Sequence, residues 1–159
     1  MKRMLILCLL LGVYAWSTAQ NLQKWKGSDI QQLLVNTNKE IVVMNVWATF
    51  CKPCVEEIPH FMNLAKTHSD KVELILMSVD ASEMFPKKLQ RFIKKKRFQS
   101  ATLGWLNETD ANYFCPLLDS RWEGSIPATL IYDKKSGKRF FKEGSMSESE
   151  LKEVLSQFL

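Results

Sequence analysis

Residues Ile41-Val42-Val43-Met44-Asn45-Val46-Trp47 make a β-branched, almost unbroken apolar run. Such a run is a strand buried on both faces, which requires a sheet covered by helices on both sides. A cysteine pair follows it, and then a helix pattern over 53–66 in which Pro59 would introduce a kink. The alternation continues. Residues 72–79 read as a second buried strand ended by Asp80, and Phe85-Pro86 opens a basic helix to about Arg97 with Leu89, Phe92 and Ile93 as its apolar stripe. A short strand is expected over 101–106 and a helix over 111–118, with Asp110 as its cap. Residues 129–133 and 138–142 read as two strands joined by a turn at Lys135-Ser136-Gly137. Ser147-Glu148-Ser149-Glu150 has the form of a capping box ahead of Leu151, Val154, Leu155 and Phe158. Upstream, Ser28 can cap a short helix over 29–35. Buried strands alternating with helices imply an α/β fold, a central mixed sheet with helices on both faces.

The chain has 159 residues, about one domain's worth, and shows no repeat, linker or heptad run. Its start reads as a secretory signal peptide over 1–19: Lys2 and Arg3, an apolar run over 4–13 too short to span a bilayer comfortably, and Ser17-Thr18-Ala19 before the cleavage point. An uncleaved segment acting as a membrane tether is the alternative. Cys8 follows Ile6-Leu7, not a small residue, which argues against a lipoprotein-type anchor. Cleavage would leave one domain over 20–159 with three cysteines, Cys51, Cys54 and Cys115, in an oxidising, periplasmic or other extracytoplasmic compartment. Four cysteines are too few to be the framework of such a chain. The mature balance is +3, from 20 basic residues (22 less Lys2 and Arg3) against 17 acidic. So mild a charge implies neither nucleic-acid binding nor strong membrane-surface binding. The cations Lys87, Lys88, Lys94, Lys95, Lys96 and Arg97 could form a docking patch, although a solvated helix face is the ordinary reading.

Cys51-Lys52-Pro53-Cys54 falls where the strand ends and the helix begins. At a helix N-terminus, unpaired N–H groups and the helix dipole stabilise a thiolate on the first cysteine. The thiolate is the attacking form, so this placement activates Cys51. Two intervening residues let Cys54 close a ring with it. Pro53 has no N–H to lose in the first turn, and Lys52 adds a positive charge. A zinc site would need a second pair of ligands, for which the mature chain offers only Cys115, His60 and His68. A purely structural disulfide is the other alternative, though so short a loop returns little stability. The spacing by itself leaves all three open.

The longer stretch from Asn45 to Pro59, Asn45-Val46-Trp47-Ala48-Thr49-Phe50-Cys51-Lys52-Pro53-Cys54-Val55-Glu56-Glu57-Ile58-Pro59, resembles the active-site segment of the TlpA/ResA-like thioredoxins. These are extracytoplasmic thiol–disulfide oxidoreductases. Phe50 departs from the pattern, where a second Trp is usual. Gly124-Ser125-Ile126-Pro127-Ala128-Thr129 resembles the family's loop with a cis proline, and the 73 residues from Cys54 to Pro127 (127 − 54) leave room for the subgroup's extra βα insertion.

The resemblance implies a thioredoxin-like fold and a thiol–disulfide oxidoreductase whose redox group is the Cys51–Cys54 disulfide, with no other cofactor and no metal. Cys51 would attack and Cys54 resolve. Pro127 would sit against the pair, with the Ile126 backbone pairing with an extended substrate segment beside Lys52 and Pro53. Trp47 is expected to pack beneath the motif, and Thr49 and Phe50 to shape its rim. Thioredoxin itself has an Asp where this chain has Asn45, which cannot accept a proton; Glu57 is the candidate for proton exchange with Cys54, or else a surface helix glutamate. Trp122 is a candidate recognition residue or core packing, and Glu56 and His60 are expected at the surface or rim. Cys115 reads as a buried free thiol or an auxiliary one. No T-x-x-C peroxidatic arrangement stands at the strand end. The resemblance further implies a disulfide-bearing protein substrate, a membrane-bound electron donor, a monomer, and reductase work in cytochrome c maturation or general disulfide reduction.

Overall fold

The computed structural model describes residues 21–159; the expected signal segment, Cys8 included, lies outside them. The described strands are β1 (Gln23–Trp25), β2 (Ile41–Trp47), β3 (Val72–Ser78), β4 (Thr102–Leu106), β5 (Ala128–Asp133) and β6 (Arg139–Glu143). The α-helices are α1 (Ile30–Val35), α2 (Lys52–Thr67), α3 (Lys87–Lys96), α4 (Ala111–Leu118) and α5 (Glu148–Ser156). The strands form one sheet in the order β1-β4-β3-β2-β5-β6. The first three pairings are parallel and the last two, β2 with β5 and β5 with β6, antiparallel. The extra βα unit expected between α2 and Pro127 is present as β4 and α4.

Alternation along the buried strands sorts side chains into two cores. Ile41, Val43, Trp47, Leu74 and Leu76 point to one face, covered by Ile58 and Phe61 of α2, Leu89 and Ile93 of α3, and Leu151 and Leu155 of α5. Val42, Met44, Val46, Ile75 and Met77 point to the other, covered by Ile30 and Leu34 of α1 and by Phe114 and Leu118 of α4. Each fully buried side chain of this kind contributes roughly 1.5–3 kcal/mol through area removed from water. All seven residues of β2 are buried, as its apolar run requires. Among the described residues no helix is long and apolar enough to cross a membrane.

Several local expectations change. The edge strand β1 has no counterpart in the sequence reading, since only one of its three residues is buried. It fits against β4 because Gly104 leaves space for the Trp25 ring, which a Cβ there would overlap. Ser28 does not cap a helix: Gly27–Asp29 is a 3-10 turn, the Asp29 carboxylate accepts from the Lys26 N–H at 2.8 Å, and α1 begins at Ile30. Ser147 does cap α5, accepting from the Glu150 N–H at 3.2 Å. The reciprocal half of that capping box is replaced, because the Glu150 carboxylate takes Lys142 Nζ at 2.6 Å. Pro59 lies inside a continuous α2 and is exposed.

Candidate active site

Cys51 is the N-cap of α2, and its Sγ accepts from the Cys54 N–H at 3.3 Å. The two cysteines are joined as a disulfide with their Cα atoms 5.3 Å apart. Cys51 is 8% exposed and Cys54 0%, so only the first sulfur has any opening to solvent. Pro53 occupies the first turn of α2, where its missing N–H costs nothing. Lys52 is 84% exposed, with Nζ 3.7 Å from Glu56 Oε1; water screens most of the charge it presents to the cysteine. Phe50, exposed beside Cys51, puts an apolar ring on the rim.

The turn between β2 and α2 is held from below. Asp80, buried just past the end of β3, accepts from the Thr49 N–H through both oxygens at 3.0 and 3.1 Å, from Thr49 Oγ1 at 2.6 Å and from Ser78 Oγ at 2.8 Å. Its own carbonyl takes the Trp105 indole N–H at 2.7 Å. The parallel pairing of β2 with β3 brings their C-terminal ends together, so Asp80 anchors the turn that delivers Cys51. Sequence reasoning gave Asp80 only as a strand terminator, although an Asp closing a parallel strand beside a catalytic turn is the available signal. Asp80→Ala is expected to lower stability by about 2 kcal/mol, because it leaves the Thr49 N–H without its acceptor. Urea unfolding checks this, and Asp80→Asn should recover about half of the loss.

Glu57 is 3% exposed, one turn along α2 from Cys54. Its Oε1 accepts from Asn45 Nδ2 at 2.8 Å and its Oε2 from the Met146 N–H at 2.8 Å. Asn45 Nδ2 also donates to Thr129 Oγ1 at 3.2 Å; the two residues face each other across β2 and β5. Burial pushes the Glu57 carboxyl above its ordinary range, and the two hydrogen bonds with the charges of Lys142 and His60 offset only part of that rise. Asn45 therefore takes no proton itself but holds the carboxylate that can. Met146 belongs to the segment entering α5, where the Gly144 N–H donates to the Pro127 carbonyl at 2.8 Å. Gly144 has φ 89°, a backbone that side-chain-bearing residues avoid. One short segment thus ties Glu57 to the Pro127 loop.

The Ile126–Pro127 peptide bond is cis. Pro127 is buried and Ile126 half-buried. Trp122 is placed differently from a groove-lining residue: it is 5% exposed, packs edge-on against Phe114, and donates its indole N–H to the Ser125 carbonyl at 2.9 Å. It holds the loop ahead of Pro127 from inside the second core and presents no surface to a substrate. Cys115 is a buried free thiol in that same core, across the sheet from Cys51. Burial, then the charge of Glu143, pushes its thiol up, which disfavours the reactive form. Glu56 is exposed, and His60 stands at the surface with Nδ1 3.5 Å from Glu148 Oε2. Among the described residues no group of three or more His, Cys, Asp and Glu side chains could hold a metal ion.

A family model described as the AhpC/TSA family matches residues 17–138. The chain belongs to the AhpC/TSA family. Within it the chain is TlpA/ResA-like, as the Asn45-to-Pro59 stretch implied. It is 27% identical over 114 residues to the thioredoxin-like protein YneN of Bacillus subtilis (strain 168), covering 72% of this chain and 62% of YneN. It is 39% identical over 44 residues to the thiol-disulfide oxidoreductase ResA of Oceanobacillus iheyensis, covering 27% of this chain and 23% of ResA. The chain thus spans less than two thirds of the length of either relative. The crystal structure of StoA from Bacillus subtilis superposes with a TM-score of 0.54 at 26% identity, covering 73% of this chain and 83% of StoA. The mixed sheet with helices on both faces is a thioredoxin-like fold.

Proposed function

We propose that this AhpC/TSA-family chain is an extracytoplasmic thiol–disulfide oxidoreductase that reduces disulfides on partner proteins. The observation that carries the reading is the placement of the pair: Cys51 caps α2 and keeps a small opening to solvent, 8% exposed, whereas Cys54 is sealed at 0%. In the reduced protein the Cys51 thiolate attacks one sulfur of a substrate disulfide. The other substrate sulfur leaves as a thiolate and takes a proton from water. Cys54 then gives its proton to Glu57 and attacks Cys51 Sγ, the mixed disulfide breaks, and the second substrate thiolate leaves. Two electrons have passed to the substrate, and the protein holds the Cys51–Cys54 disulfide. No cofactor beyond that pair enters the exchange. In this reading the Ile126 backbone, ahead of the cis Pro127, pairs with an extended substrate segment beside Lys52 and Pro53.

A membrane-bound dithiol donor recharges the pair in this reading, and the protein works as a monomer in cytochrome c maturation or in general disulfide reduction. The relatives named thiol-disulfide oxidoreductase support the reaction class, and the signal-like start supports the compartment. The deciding measurement is the reduction potential of the Cys51–Cys54 couple, taken beside the rate at which the reduced protein reduces insulin. A potential near the thioredoxin value of about −270 mV with insulin turnover is expected. A potential near about −120 mV would make the protein an oxidant, and failure to reduce insulin would overturn the reading altogether.

A further inference from the structure

Helix α3 and its C-cap carry Lys87, Lys88, Arg91, Lys94, Lys95, Lys96 and Arg97, seven cations, with no acidic residue between Glu83 and Glu108. The whole chain has a net charge of +5, so everything outside this helix sums to −2 (5 − 7). The mild overall balance therefore hides a strongly basic stripe on a slightly acidic body. All seven cations are exposed, and among the described residues none of them pairs with a carboxylate. Lys87 and Arg91, and Arg91 and Lys95, stand at i,i+4, where like charges weaken a helix. Core packing of Leu89 and Ile93 keeps α3 folded against that repulsion. Lys96 Nζ lies 5.8 Å from the centre of the Phe92 ring, and Lys94, Lys95 and Lys96 suit the negative end of the helix dipole. The other cations of the stripe have no such role, and the thiol exchange described above does not use it.

We propose that α3 docks the protein on an anionic phospholipid surface. Four to eight Lys and Arg clustered on one amphipathic helix suit such a surface, with each cation near it adding to the attraction. Five of the seven are lysines, compact hydrated charges suited to a diffuse anionic field, whereas recognition of individual carboxylates favours the arginine fork. The apolar side of the helix is already spent in the core, so the contact is electrostatic and salt-sensitive, without insertion. Placement also fits. Strand β3 runs parallel to β2, so α3 starts from the sheet end that carries Cys51. Helices α2 and α3 cover the same face. A protein lying on α3 holds its cysteine pair at the edge of the membrane contact.

The test is co-sedimentation of the full chain with phosphatidylglycerol-rich vesicles and with pure phosphatidylcholine vesicles, at low and high salt. The variant Lys94→Gln/Lys95→Gln/Lys96→Gln keeps the same N-terminus, so any binding by the apolar start is common to both proteins. The expected result is salt-reversible binding to phosphatidylglycerol by the wild type, about a hundredfold weaker in the variant, with no difference on phosphatidylcholine. A second variant, Lys87→Gln/Lys88→Gln/Arg91→Gln, should lose binding to a similar degree, which separates the charge effect from a folding defect at one end of the helix. Equal binding of all three proteins to phosphatidylglycerol vesicles overturns the proposal. So does binding to polyglutamate without binding to vesicles, which would assign the stripe to an acidic protein partner. Neither outcome depends on whether insulin is reduced.

Discussion

Cys51→Ser should reduce insulin more than roughly a thousandfold slower than the wild type, with little loss of stability. The two halves of that expectation come from one position. As N-cap of α2, Cys51 Sγ accepts the Cys54 N–H, and a serine oxygen fills that role well. The variant keeps the cap and loses the nucleophile, so its defect reports chemistry, whereas an alanine would mix the two. Cys54 cannot take over the attack, being 0% exposed. Cys115 cannot either, because it lies in the core on the opposite face of the sheet. Cys54→Ser carries the complementary expectation. Its Cys51 still attacks, nothing resolves the adduct, and a mixed disulfide with the substrate accumulates on a non-reducing gel. Comparable insulin turnover by wild type and Cys51→Ser would remove the cysteine pair from the mechanism.

The parts of this architecture legible in the sequence are those where burial is local and periodic. Strand β2 announces itself because every residue in it is buried, and α2 because Cys54, Ile58, Phe61 and Ala65 recur at helical spacing on the core side. Glu57 interrupts that same stripe, so its burial was readable from its neighbours. What it pairs with was not. Thr129 lies 84 residues from Asn45, and Met146 lies 89 residues from Glu57; no local pattern joins them. Asn45 did leave a trace, since an amide inside an otherwise apolar buried strand demands a polar partner. The clamp of Asp80 on Thr49 spans 31 residues and depends on the parallel register of β2 and β3. Trp122 marks the other limit. An aromatic near the Pro127 loop reads equally as rim or core, and only the packing of α4 against the sheet decides it. Strand β1 leaves no mark in the sequence because a three-residue edge with one buried side chain carries no burial pattern.

Glu57→Gln should flatten the pH dependence of both stability and exchange, and the direction of each follows from burial. The folded-state carboxyl titrates above its ordinary range, with desolvation as the leading cause. Protonated Glu57 therefore stabilises the fold fully below the unfolded value of about 4.3, and that contribution is lost as pH rises through the folded value. Wild-type stability should fall across this window, and the glutamine variant should not. Glutamine must turn its amide toward either Asn45 Nδ2 or the Met146 N–H, which costs about 1 kcal/mol in a lost hydrogen bond at every pH. The slope, and not the level, is thus the informative quantity in urea midpoints measured between about pH 4 and pH 8. The rate runs the opposite way. Below its folded value Glu57 already holds a proton and cannot take the one on Cys54, so release of the mixed disulfide should quicken as pH rises through that value. With glutamine that rise disappears, and release should slow by about a hundredfold at neutral pH. Parallel pH slopes in the two proteins, for stability and for release alike, would mean that Glu57 stays in one protonation state throughout and that Cys54 passes its proton directly to water.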